Sequence, residues 1–167
     1  MKSLVIAGID PGTNITGYGV IRTENNSARW AASGVISTHG AESLAQKLTI
    51  IYEGLQKIFS NFKPDRVCVE EAFYAKNVRT SMILGHARGV AMLAAQQCGA
   101  AVAEYTPREI KKALVGTGGA EKQQVAFMVK MVLRPPVEHT QTDAYDALGI
   151  ALCDFYHQTG PEILKHV

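Results

Sequence analysis

A chain of 167 residues with 47% hydrophobic and 19% charged side chains can bury one full core, which excludes a disordered tail and predicts a single domain over residues 1–167. Seventeen Lys/Arg against fifteen Asp/Glu leave a net charge of +2, and no apolar run reaches the length of a membrane span. Residues 63–134 nonetheless hold eleven Lys/Arg and six acids, whereas the rest of the chain holds six and nine, so the basic middle suits a polyanionic partner as well as it suits solvated helix faces.

The first element is a short apolar run, 4–10 (LVIAGID), that breaks at Asp10-Pro11-Gly12. It reads as a buried strand ending in a turn, too short for the core of an export signal. Strands are predicted at 17–23 and 29–37 around the turn-forming Asn25-Asn26-Ser27. Leu44, Leu48, Ile51, Leu55 and Ile58 recur at three and four residues and predict a helix over about 42–60. A strand at 66–70, a helix at 78–98 and a strand at 101–105 follow. Helices at 107–114 and 120–133 flank a glycine-rich link, Pro135-Pro136 ends that run, and a last helix spans 141–157. The helix at 78–98 is apolar on more than one side, so it is either a core helix or one that spares a face for a partner subunit. This order, βββαβαβααα, predicts an antiparallel meander extended by parallel strands: a five-stranded mixed sheet with helices on both faces, α/β in class and ribonuclease H-like in layout.

Four carboxylates stand where such a sheet gathers its ligands. Asp10 ends the first strand, Glu70 (with Glu71 after it) ends the fourth, and Asp143 and Asp146 share one face of the last helix. Acids converging from distant segments repel unless a cation lies between them, and oxygen-only donors favour Mg²⁺ or Mn²⁺ over zinc. Each acid also has a structural explanation: Asp10 as a turn former, Asp143 as a helix-start residue with Thr140 as cap, Glu70 or Glu71 as a solvated strand end. His86, His139 and His157 lack metal-site spacing, no dinucleotide, P-loop or serine-elbow motif occurs, and Cys68, Cys98 and Cys153 form no CxxC pair. The cysteines exclude a disulfide framework and suit a reducing cytoplasm.

Five segments carry a more specific signal: IDPGTNITGYGV at 9–20, VEEAFYAKN at 69–77, LGHARGV at 84–90, VGTGGAEKQQV at 115–125 and TDAYDALGIA at 142–151. In this order they resemble the RuvC family of Holliday-junction resolvases over roughly residues 4–156. The resemblance implies a homodimeric, Mg²⁺-dependent endonuclease that makes paired nicks in a four-way DNA junction. It implies Asp10, Glu70, Asp143 and Asp146 as catalytic, metal-holding carboxylates for two Mg²⁺ per subunit, with Mn²⁺ as a substitute. Lys111 and Lys122 match basic positions near the cut, Lys122 with a catalytic role on the scissile phosphate, and Phe73 matches an aromatic that stacks on an unpaired base. The RuvA–RuvB branch-migration complex is a further implied partner. The chain departs from the family pattern at Glu71 and His86, where glutamine is common, and at Gly149, where alanine is usual and glycine costs the helix about 1 kcal/mol. Strand alternation sends Glu70 and Glu71 to opposite faces, so one alone can be a ligand.

Two other functions fit parts of this pattern. A ribonuclease H-like nuclease trimming structured RNA would share the fold, but those chains are shorter and lack the GAEK and EAF segments. A non-catalytic junction-binding scaffold would not need four carboxylates.

Overall fold

In the computed structural model, which describes residues 3–71, 77–136 and 142–160, the chain folds as five strands and five helices in the expected order. The strands are β1 (Leu4–Asp10), β2 (Ile15–Glu24), β3 (Ser27–Ser37), β4 (Arg66–Glu70) and β5 (Ala101–Tyr105), arranged β3-β2-β1-β4-β5. The pairs β2–β3 and β1–β2 are antiparallel, whereas β1–β4 and β4–β5 are parallel. Asn25 and Asn26 both take positive φ (48° and 61°), which closes a two-residue hairpin whose twist matches the flanking strands. β2 starts two residues before its predicted bound, because Ile15 pairs with Ser37 and the Thr16 hydroxyl donates to the Gly12 carbonyl at 2.7 Å.

Local capping sets the helix starts. Ser43 accepts from the Gln46 amide ahead of α1 (Leu44–Phe62), and Asn77 accepts from the Arg79 amide ahead of α2 (Val78–Gln97). Thr106 and Glu109 form a reciprocal cap on α3 (Pro107–Val115), with Pro107 in the first turn. Glu121 and Gln124 do the same for α4 (Lys122–Leu133). In α5 (Asp143–Thr159) the cap position is Thr142; Thr140, predicted for that role, lies outside the described residues.

Strand alternation divides the core in two. Ala7, Ile9, Val20, Val67 and Val69 face Ile51, Leu55 and Phe59 of α1 and Ala91, Ala94 and Ala95 of α2. Ile6, Ile21 and Cys68 face the other way, toward Ile110, Leu114, Val125, Val129 and Leu148 of α3–α5. Helices therefore cover both faces, as the element order predicts. Gly149 sits where α5 meets α3 and α4: a Cβ there would come 3.2 Å from Leu114 and 3.6 Å from Val125, so its helix cost accompanies a close helix crossing.

Candidate active site

The parity of two strands brings the first two acids together. Ile9 is paired with Val69 across the parallel β1–β4 ladder, so Asp10 and Glu70 follow side by side at the carboxyl ends of their strands. On β1, Ile6, Gly8 and Asp10 share the face covered by α5; on β4, Arg66, Cys68 and Glu70 share that same face. Glu71 falls on the opposite face, where the Arg88 guanidinium of α2 lies 4.0 Å from its carboxylate and also bonds Glu104. The two glutamates left equivalent by sequence are thus separated, and Glu70 is the one beside Asp10.

The remaining pair arrives on α5, which lies in a groove made by glycines. A Cβ on Gly8 would stand 2.0 Å from the Ala147 carbonyl oxygen, one on Gly17 2.1 Å from that of Asp143, and one on Gly19 2.6 Å from the Leu148 amide. Only bare backbone lets the helix come so near, and this approach sets the first turn of α5, with Asp143 and Asp146, against the ends of β1 and β2. These glycines were not singled out as site residues by sequence. Their signal was legible: glycines inside otherwise apolar strands mark places where another backbone comes close.

Crowding shows in the electrostatics. Burial first, then the charges of Glu70, Asp146 and Asp143, push the Asp10 carboxyl up to about 7, with Lys122 opposing. Glu70 is raised by burial and by Asp146, while Lys122, a hydrogen bond with Asp10, and Lys111 pull it back. Lys122, on the first turn of α4, holds its ammonium 3.1 Å from Asp146, and that hydrogen bond raises its own pKa. Half-buried Lys111 of α3 supplies the second positive charge near Glu70. Four acids and two lysines from β1, β4, α3, α4 and α5 therefore act on one another at one end of the sheet.

Other predicted positions fall elsewhere. Phe73 and His139 lie outside the described residues. His86 is exposed, with Nδ1 2.7 Å from the Met82 carbonyl, and His157 stacks on Tyr105 with ring centroids 5.0 Å apart. Among the described residues, no three His, Cys, Asp or Glu side chains are yet grouped as a ligand cage for an ion. The donor chemistry still fits a hard divalent cation: the groups offered are carboxylate oxygens, and an acid raised to about 7 by burial and then by the charges of three neighbouring acids marks a cluster short of positive charge.

Residues 6–154 match the family model described as crossover junction endodeoxyribonuclease RuvC. The crossover junction endodeoxyribonuclease RuvC of Tolumonas auensis is 48% identical over 154 residues, covering 92% of this chain and 88% of that protein. The structure of Thermus thermophilus RuvC superposes with a TM-score of 0.84 at 34% identity, covering 94% of this chain and 97% of the other. The same protein in complex with Holliday junction substrate gives a TM-score of 0.85 at 33% identity, covering 94% and 96%.

Proposed function

The chain belongs to the RuvC family of crossover junction endodeoxyribonucleases, and on that footing we propose that it resolves four-way DNA junctions by paired, metal-dependent nicks. The fold is ribonuclease H-like and the protein is an endodeoxyribonuclease. The observation that carries the finer reading is the meeting of Asp10, Glu70, Asp143 and Asp146 at one end of the sheet, beside Lys122. In this reading residues 1–167 form one nuclease domain that works in the cytoplasm, and the RuvA–RuvB complex is the partner that brings the junction.

Asp10, on the central strand, would hold both of two Mg²⁺ ions, with Glu70 and Asp146 completing one each and Asp143 orienting water. The ions, or Mn²⁺ in their place, would supply an activated water and charge stabilisation for the leaving 3′ oxygen. The chain's own part is to hold these acids together on rigid elements, where a bound cation would favour their joint ionisation, and to aim Lys122 at the scissile phosphate, where its charge counts most in the transition state. Lys111 adds a phosphate contact, and Phe73 is proposed to stack on an unpaired base.

The test is a synthetic four-way junction, a linear duplex and a structured RNA, each incubated with and without Mg²⁺. Symmetric nicks in the junction alone, and only with the metal, are expected; RNA cleavage or undiminished nicking in EDTA overturns the reading. Glu70→Gln should lose cleavage by about a hundredfold or more while keeping junction affinity, because phosphate contacts rather than the acids supply binding. Glu71→Gln, on the other face of β4, should stay close to the parent rate.

A homodimer would present two such sites to the two-fold symmetric junction. Its support is the outer stripe of α2: Val78, Met82 and Leu93 are 77%, 63% and 53% exposed, and Cβ atoms built on Gly85 and Gly89 between them meet nothing within 4 Å. The opposite side of the helix, with Ala87, Ala91 and Ala94, is in the core. A second copy of this helix is the occupant we assign, since the glycines allow two backbones to pack closely. Met82→Glu combined with Leu93→Glu should sediment as a folded monomer and lose paired nicking; an unchanged dimer would place the interface elsewhere.

A further inference from the structure

Asp154 is the single charged side chain with no exposed surface among the described residues, and nothing in the proposed chemistry uses it. It lies on α5 eight residues beyond Asp146, roughly 12 Å along the helix. Its two oxygens each accept from the Arg66 guanidinium at 2.7 Å, a forked pair, and Oδ1 also takes the Tyr105 hydroxyl at 2.7 Å. Burial pushes the Asp154 carboxyl up, but the hydrogen bonds of Arg66 and Tyr105 outweigh it and hold the group ionised below its ordinary value.

The partners come from both ends of the site's scaffold. Arg66 opens β4, the strand that ends in Glu70. Tyr105 closes β5, where it pairs with Glu70 across the ladder and accepts the Glu71 amide on its carbonyl at 2.8 Å. One carboxylate therefore ties the helix that carries Asp143 and Asp146 to the strands that place Glu70. Elsewhere α5 meets the sheet through its backbone against the glycine groove and through apolar packing of Leu148, Ile150 and Leu152, contacts that are non-directional. Such contacts set how close the helix lies, whereas the forked ion pair adds a directional contact with a required geometry.

We propose that Asp154, gripped by Arg66 and Tyr105, is a positioning residue that fixes the axial register of α5, so that Asp143 and Asp146 arrive opposite Asp10 and Glu70. This rests on the reading of those acids as the metal site. A purely stabilising role makes a different forecast, because buried ion pairs replaced by apolar side chains of similar volume often keep or gain stability.

The experiment compares the parent protein with Tyr105→Phe and with the triple replacement Arg66→Met, Asp154→Leu, Tyr105→Phe. For each, melting temperature, Mn²⁺ affinity without DNA, junction affinity and the single-turnover cleavage rate of bound junction are measured. The triple variant is expected to melt near the parent and to bind junction within about twofold, since affinity comes from phosphate contacts. Its Mn²⁺ affinity and cleavage rate should both fall about tenfold or more, as when the supports of metal ligands are removed. Parent-like metal affinity and rate in a folded triple variant overturn the proposal. If the triple variant does not fold, Tyr105→Phe decides: a slower rate and weaker Mn²⁺ binding at little cost in melting temperature support positioning, and parent values refute it. A parent protein that neither binds Mn²⁺ nor cuts the junction overturns the metal-site reading itself, and this inference with it.

Discussion

Gly8→Ala is expected to lower the melting temperature by roughly 6–12 °C, from about 3 kcal/mol of overpacking at about 2–4 °C per kcal/mol for a chain of this size. The added methyl would stand 2.0 Å from the Ala147 carbonyl oxygen and 2.6 Å from the Ala151 amide. Both are backbone atoms of α5, which no rotamer change can move aside, so the helix itself must lift or slide. Its first turn carries Asp143 and Asp146, and cleavage by the fraction that remains folded should therefore fall as well. Gly119→Ala is the control: the nearest outside atom to its Cβ is the Thr117 hydroxyl at 3.9 Å, and a change within about 0.5 kcal/mol is expected there. Calorimetry beside single-turnover cleavage checks both. A Gly8→Ala protein that melts and cuts like the parent would show that close backbone approach is not what seats α5.

Much of this architecture was legible because it depends on local signals. Strands β1, β4 and β5 fall on their predicted bounds, since each is a short apolar run closed by charge, turn or proline. The convergence of Asp10 and Glu70 was also legible, because parallel neighbours deliver their final residues to the same edge. What sequence left open were relations across distance. Glu70 and Glu71 differ only in which face they occupy, and it takes Arg88, on a helix from a separate segment, to show that Glu71 belongs to the other side. Arg66 and Asp154 are 88 residues apart, so no periodicity links them, and an aspartate on a helix reads as solvated until a guanidinium is found over it. The spare side of α2 could not be told from a core face, because alanine and glycine serve both.

Asp10→Asn is expected to abolish cleavage and, without metal, to stabilise the fold at alkaline pH. In the folded protein burial, and then Glu70, Asp146 and Asp143, raise this carboxyl from 3.8 to about 7. Between those values the folded state holds a proton that the unfolded chain has lost, so the Asp10 contribution to stability is full below about pH 4 and falls as pH rises, levelling above about 7. The whole fall is at most about 4 kcal/mol, for a shift of about three units at 1.36 kcal/mol each. Asparagine cannot ionise, so the variant should escape this decline and melt above the metal-free parent at pH 8, while near pH 4 the two should converge. Divalent metal should reverse the ranking. An ion bound only by the folded parent raises its melting temperature by mass action and flattens the pH dependence, whereas the variant, without the carboxylate proposed to be shared by the ions, should respond little. Cleavage by Asp10→Asn should drop by about a thousandfold or more at saturating Mg²⁺, since the proposed site would lose the carboxylate that holds the ions supplying the activated water and the charge stabilisation. Thermal melts from pH 4 to 9 with and without Mg²⁺, set beside nicking rates, test the chain of inference at each link. A metal-free parent that gains stability between pH 5 and 8 relative to Asp10→Asn would reverse the sign and deny that the four acids are crowded, and a variant that still cuts would remove Asp10 from the metal site.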